Sequence, residues 1–153
     1  EAARYAIESE TAPERCREMA ASFQQRRNLV VHALNQIDGI TCQTPRGAFY
    51  VFPNIAGACE RVGAVEAYDS LPAHDRQSTS PSTLFQLFLL YRYGVATMDR
   101  RSFGRIGTEG LHYLRISVAT ALTDLEEALV RIASAAVDRA GFEDFFTEGR
   151  YAY

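Results

Sequence analysis

The sequence contains no lysine: all sixteen of its basic residues are arginine. No side chain can therefore form a Schiff base with a carbonyl compound, which excludes that route of covalent catalysis from this chain. Cysteine is scarce. Cys16, Cys42 and Cys59 are odd in number and far apart, so they fit neither a disulfide framework nor a zinc site and read as reduced thiols of a cytoplasmic protein. Long apolar runs are missing as well. The most apolar stretch, Leu84 to Tyr91, is short and broken by Gln86, which is no membrane span, and no signal peptide is visible. There is no basic block, and the net charge is −3, so the footprint of a nucleic-acid binder is absent. The chain has no initiating methionine, and its first residues already follow a helical pattern. A piece of a longer chain is the expectation.

What is present suits a folded domain. With 153 residues, 47% of them hydrophobic and 23% charged, the chain is one domain or part of one, large enough to bury a core without staples. Glu1 to Ser9 reads as the tail of a helix. Thr11, Pro13 and Glu14 read as the start of another, with Thr11 and Glu14 in capping-box positions. Met19, Phe23, Val30, Leu34 and Ile37 form its apolar stripe, and Asp38-Gly39 its stop. Two strands are predicted next, Ile40 to Thr44 and Ala48 to Phe52, joined by a turn at Pro45-Arg46-Gly47. The second is apolar on both sides, which predicts cover on both faces. Gly57 to Ser82 is the least regular stretch, helical in its first half and loop around His74 to Pro81. Ser82 to Tyr93 reads as a helix stopped by Gly94, Val95 to Met98 as a strand, and Asp99 to Gly110 as a loop. His112 to Thr120 is a strand, and Leu125 to Val137 a helix behind a second capping box at Thr123 and Glu126. Phe142, Phe145 and Phe146 form an apolar patch that should dock on the body of the domain. This order predicts an α/β fold of two layers, a sheet covered by helices.

The strand from His112 to Thr120 is the chemical centre. Alternation puts Leu114, Ile116 and Val118 on a core face and Tyr113, Arg115 and Ser117 on the other. Taken alone, a strand arginine is most simply solvent-facing. Its planar fork of donors would equally fit a carboxylate. Phe49 and Tyr50 are adjacent in a strand, so at most one should face a pocket while the other fills the core. Arg100, Arg101 and Arg105 could draw in an anion or simply be solvated. The run Gly104 to Gly110 matches neither the dinucleotide nor the P-loop spacing and reads as a connection between strands. His112 has no paired nucleophile.

Four segments, in this order, carry a family resemblance: F-x-x-R-R-x-L-V-x-x-x-L (Phe23 to Leu34), P-R-G-A-F-Y-V-F-P-N (Pro45 to Asn54), G-V-A-T-M-D-R-R-S-F-G (Gly94 to Gly104), and Y-L-R-I-S-V-A-T-A-L-T-D-L-E-E-A (Tyr113 to Ala128). Together they resemble the C-terminal small domain of pyridoxal-phosphate-dependent aminotransferases of classes I and II, of the fold-type-I, aspartate-aminotransferase-like kind. One departure stands out: many members have Pro-Gly where this chain has Asp99-Arg100.

The resemblance implies a small domain over residues 11–140, preceded by the tail of a large-domain helix (1–10) and followed by an extension (141–153). It implies that Arg115 grips the substrate's α-carboxylate and that Phe49 and Tyr50 approach the substrate. It further implies pyridoxal 5'-phosphate as cofactor of the intact enzyme, amino acids and 2-oxo acids as substrates, and a homodimer. The lysine that would carry the cofactor is absent from this chain, so the chain alone should be inactive. An alternative is a non-catalytic, amino-acid-sensing module of the same build within a regulator, or an inactive fragment.

Overall fold

A computed structural model describes residues 1–104 and 112–151. Most of the run Gly104 to Gly110 lies outside them, as does Arg105. Three short strands form one antiparallel sheet: β1 (Tyr50–Val51), β2 (Met98–Asp99) and β3 (Leu114–Ser117), in the order β1-β3-β2. Tyr50 pairs with Ser117, and Met98 with Arg115. Regular pairing is shorter than the residue patterns predict. Single bonds extend it, from Ile55 N to the His112 carbonyl, from Leu114 N to the Pro53 carbonyl and from Val118 N to the Phe49 carbonyl. Residues 112–118 thus run bonded along the 49–55 segment even where no ladder forms. Ile40 to Thr44 makes only one bridge, between Thr41 and Asn54.

Helix α1 (Ala2–Glu8) opens the chain, and helices α2 (Ala12–Leu34), α6 (Pro81–Tyr93) and α7 (Leu122–Ala135) cover one face of the sheet. Val51, Leu114, Ile116 and Val118 are buried against Val30, Leu34, Leu84, Leu125, Leu129 and Ile132, as the two-layer expectation requires. The other face is open. Phe49 is 52% exposed and Met98 and Tyr50 are also exposed, so the expected double cover of Ala48 to Phe52 is not found. The reason is local: Ala48 has a positive φ of 69°, which breaks strand alternation just before Phe49. Val51 alone takes the inward place.

Neither capping box forms. Thr11 has helical backbone angles and no side-chain bond to the helix; its hydroxyl meets Ser9 Oγ at 3.0 Å instead. An N-cap needs an extended residue for its oxygen to reach the free amides. Helix α7 begins one residue earlier than its box, with Ala121 at the cap, so Thr123 is already inside it. Helix α2 also ends before Asp38-Gly39. The Asn35 amide donates to the carbonyls of Val31 and Cys42 at 2.8 and 2.9 Å and accepts from Cys42 N at 2.9 Å, turning the chain at once toward the sheet.

The middle of the chain holds α3 (Ala56–Val62), α4 (Ala64–Ser70) and the single turn α5 (Ala73–Arg76). Gly63, in the left-handed region, separates the first two. Helix α8 (Arg139–Thr147) buries Phe142 and Phe145 against Phe88 of α6, with ring centroids 5.4 and 5.7 Å apart. The predicted docking of this aromatic patch is therefore observed, and α8 runs across residue 140 without a break. Among the described residues no helix is long and apolar enough to cross a membrane.

Candidate functional site

The open face of the sheet presents Arg115 from the middle strand, half-buried. Alternation along β3 sends Leu114 and Ile116 inward and Arg115 outward. Its guanidinium lies 4.8 Å from the ring centre of Phe103 and 5.2 Å from that of Tyr50. Nη2 points at Met98 Sδ, 2.9 Å away, on the neighbouring strand. Each ring attracts the cation through its quadrupole by roughly 0.5–1 kcal/mol at a partly exposed site. A thioether is a weak acceptor. Among the described residues no carboxylate pairs with Arg115, so the group is oriented by rings and sulfur while its charge is left uncompensated. That combination suits an incoming anion.

The three residues singled out in the sequence come together as a chain of contacts. Phe49 and Tyr50 meet edge to face at 5.6 Å, and Tyr50 touches Arg115. The expected division of labour, one ring in the pocket and one in the core, is not found: both rings are exposed and neither fills the core, the strand starting only at Tyr50. Sequence reasoning missed Met98 and Phe103. Both lie within the quoted G-V-A-T-M-D-R-R-S-F-G segment, and strand pairing of residue 98 with 115 is what makes them neighbours of the arginine. Beside Tyr50 a groove of about 560 Å³ opens between Phe52, Tyr113, Thr41, Asn54 and Pro45. Phe52 and Tyr113 stack at 5.3 Å along it, and no charged residue lines it.

The remaining arginines separate. Arg101 is committed to main chain: Nη1 donates to the Thr79 carbonyl and Nη2 to the Gln77 carbonyl at 2.6 Å. His112 sits half-buried, and burial outweighs the nearby charges of Asp99 and Glu60 to push its imidazole below the ordinary value; it touches nothing in the site. Among the described residues no group of side chains could hold a metal ion.

The sequence model of the family "Aminotransferase class I and II" matches residues 2–132. The chain belongs to that family. It is 40% identical over 119 residues to an aspartate aminotransferase of Rhizobium meliloti, a match that covers 78% of this chain and 25% of that protein. Its fold superposes on the crystal structure of the aspartate aminotransferase from Rhizobium meliloti with a TM-score of 0.64 and 36% identity, covering 90% of this chain and 30% of that one. The aromatic aminotransferase from Pyrococcus horikoshii OT3 gives a TM-score of 0.64 at 30% identity, with 89% and 30% covered. The chain thus spans about a quarter of the length of the curated relatives it matches.

Aminotransferases of this family work with pyridoxal phosphate, and the residues of this chain do not by themselves fit that group. There is no lysine to bond it. The oriented cation of the open face, Arg115, is walled by two rings and a thioether, and no second cation beside it among these contacts adds to the charge a phosphate would need.

Proposed function

We propose that this chain supplies the carboxylate-gripping part of an aminotransferase that moves an amino group between an amino acid and a 2-oxo acid. Arg115 is the grip, and Tyr50 and Phe103 are its walls; Phe49 supports Tyr50. The observation that carries this reading is the Arg115 guanidinium held against two rings on the open face of the sheet, with no carboxylate partner among the described residues. A planar fork accepts a carboxylate through two parallel N–H···O bonds, and hydrogen bonds to charged groups contribute roughly 1.5–3 kcal/mol each. Because the fork is already oriented, little rotamer freedom is lost when the anion arrives. The rings also keep water from one side of the ion pair, which strengthens it. Pyridoxal phosphate, a homodimer and a cytoplasmic setting complete the proposal for the whole enzyme. L-Aspartate is the first amino donor to try, because the relatives in Rhizobium meliloti and Pyrococcus horikoshii carry that name.

The test is steady-state kinetics of the full enzyme with L-aspartate and 2-oxoglutarate. Arg115→Ala should lower kcat/KM by more than about tenfold, the worth of one charged hydrogen bond. Arg115→Lys should also be impaired, since a point charge does not replace a fork. Kinetics unchanged in both variants would remove Arg115 from the site.

A further inference from the structure

Asp99 lies between the sheet and the start of α6, and its surroundings explain what it does. It is 2% exposed, in a face of β2 opposite to Met98. A buried carboxylate is costly unless its oxygens are satisfied. Here Ser82 Oγ donates to Oδ1 at 2.7 Å, and Thr83 Oγ1 and Ser80 Oγ reach Oδ2 at 2.6 and 3.3 Å. All three hydroxyls belong to the amino end of α6, where Ser80 is the N-cap and Thr83 N donates to its oxygen, and the helix dipole there favours an anion. The main chain is pinned as well: Asp99 N donates to Gln86 Oε1 at 2.9 Å.

The two neighbours of Asp99 in sequence lead to the arginine site. Met98, immediately before it, carries the sulfur against Arg115 Nη2. The 3-10 turn Arg100–Phe103, immediately after it, ends in the ring 4.8 Å from the guanidinium. Residues 98–103 thus form one wall of the Arg115 site, and Asp99 fastens that wall to the first turn of α6. The geometry points to Asp99 as a positioning residue for substrate binding: its buried carboxylate, gripped by Ser80, Ser82 and Thr83, fixes Met98 and Phe103 and through them the direction of the Arg115 fork. It acts through Arg115 and touches no substrate. This inference rests on the reading of Arg115 as the carboxylate grip, and the two can fail separately.

The experiment uses the full enzyme with four variants: Asp99→Asn, Asp99→Ala, Arg115→Ala and the double variant Asp99→Asn/Arg115→Ala. KM and kcat are measured with L-aspartate, and the affinity of succinate, a carboxylate without an amino group, is measured by calorimetry. Asp99→Asn keeps the shape and loses the charge that three hydroxyls point at. It should weaken succinate and raise the KM for aspartate by roughly tenfold, about the worth of one charged hydrogen bond, while kcat changes little. In the Arg115→Ala background the same substitution should change nothing further, because two residues acting as a unit are not additive. A merely structural role would lower both backgrounds alike. Equal losses in the two backgrounds, or no loss in the single Asp99 variants while Arg115→Ala is impaired, would overturn the inference and leave the grip standing. An Arg115→Ala enzyme with unchanged KM and succinate affinity would overturn both. Should Asp99→Ala not fold, the Asn variant and the double variant decide alone.

Discussion

At the scale of single residues the arginines divide by what already satisfies them. Arg101 spends its donors on the carbonyls of Gln77 and Thr79, which clips the 3-10 turn to the segment before α6. Arg115 has rings and a thioether instead and, among the described residues, no carboxylate partner; the first arrangement stabilises, and the second is the proposed grip. Arg101→Ala should therefore cost about 1 kcal/mol of folding stability, the net worth of an ordinary hydrogen bond or two, without changing the order of preference among amino donors. Urea denaturation and a panel of donors check it. A changed preference between acidic and neutral donors would give Arg101 a place in the site.

At the scale of elements, close packing and helix ends decide. Gly39 and Gly57 meet backbone to backbone: a Cβ on Gly57 would stand 2.6 Å from Gly39 Cα, and Gly39 has a φ of +86°. Gly57→Ala should force the 37–40 turn away from α3 and destabilise by about 1–3 kcal/mol, as overpacking does; a denaturation midpoint equal to the parent's would contradict this. The joint between α6, α7 and α8 carries a titration. The Tyr93 hydroxyl donates to Asp138 Oδ2 at 2.7 Å, while Asp138 Oδ1 accepts from Gly141 N at the start of α8. Burial first, then Asp138, push the Tyr93 phenol up to about 12. A phenol raised in the folded state contributes stability that is fully present below its unfolded value of about 10 and is lost as pH rises through about 12. Tyr93→Phe should flatten the fall of stability in that window and remove one tyrosine ionisation near pH 12 from the ultraviolet titration. An unchanged titration would contradict the assignment.

How much of this was legible in the sequence follows the same division. Helices α6 and α7 were readable because Leu84, Leu87 and Phe88, and Leu125, Leu129 and Ile132, keep helical spacing, and because Gly94 takes the left-handed angles of a helix stop. Three of the four expected strands overlap observed ones but are longer than they are, and Ile40 to Thr44 makes an isolated bridge in place of a strand. Val95 N closes the end of α6 on the Leu89 carbonyl, so the predicted strand from Val95 to Met98 shrinks to Met98–Asp99. Tertiary bonds of that kind leave no mark in a pattern of apolar residues. Arg115, Phe49 and Tyr50 were legible through family motifs and the outward side of Arg115 through alternation, but the exposure of both Phe49 and Tyr50 was not, because Ala48 just before them takes a positive φ rare for any residue but glycine. Asp99 was visible only as a departure from the family pattern. Its three hydroxyl partners sit sixteen to nineteen positions away, too far for any local spacing to reveal.

At the scale of the whole molecule, composition sets a limit. Without lysine, the purified 153-residue chain should capture no pyridoxal phosphate on a side chain and turn over no amino acid. Incubation with the cofactor, borohydride reduction and peptide mass mapping check this, with the α-amino terminus blocked. A stoichiometric adduct away from the terminus, or turnover by the chain alone, would contradict it. The expected division of labour is instead one in which this chain orients the substrate's carboxylate and the rest of the enzyme holds the cofactor. That division is the central claim, and it rests on Arg115. The most direct measurement compares, by calorimetry on the full enzyme, the affinity of L-aspartate with that of its α-carboxamide, in the parent and in Arg115→Ala. The account predicts that the parent prefers the acid by more than about tenfold, as one charged hydrogen bond implies, and that Arg115→Ala binds the two alike. A preference that survives the loss of Arg115 would contradict it.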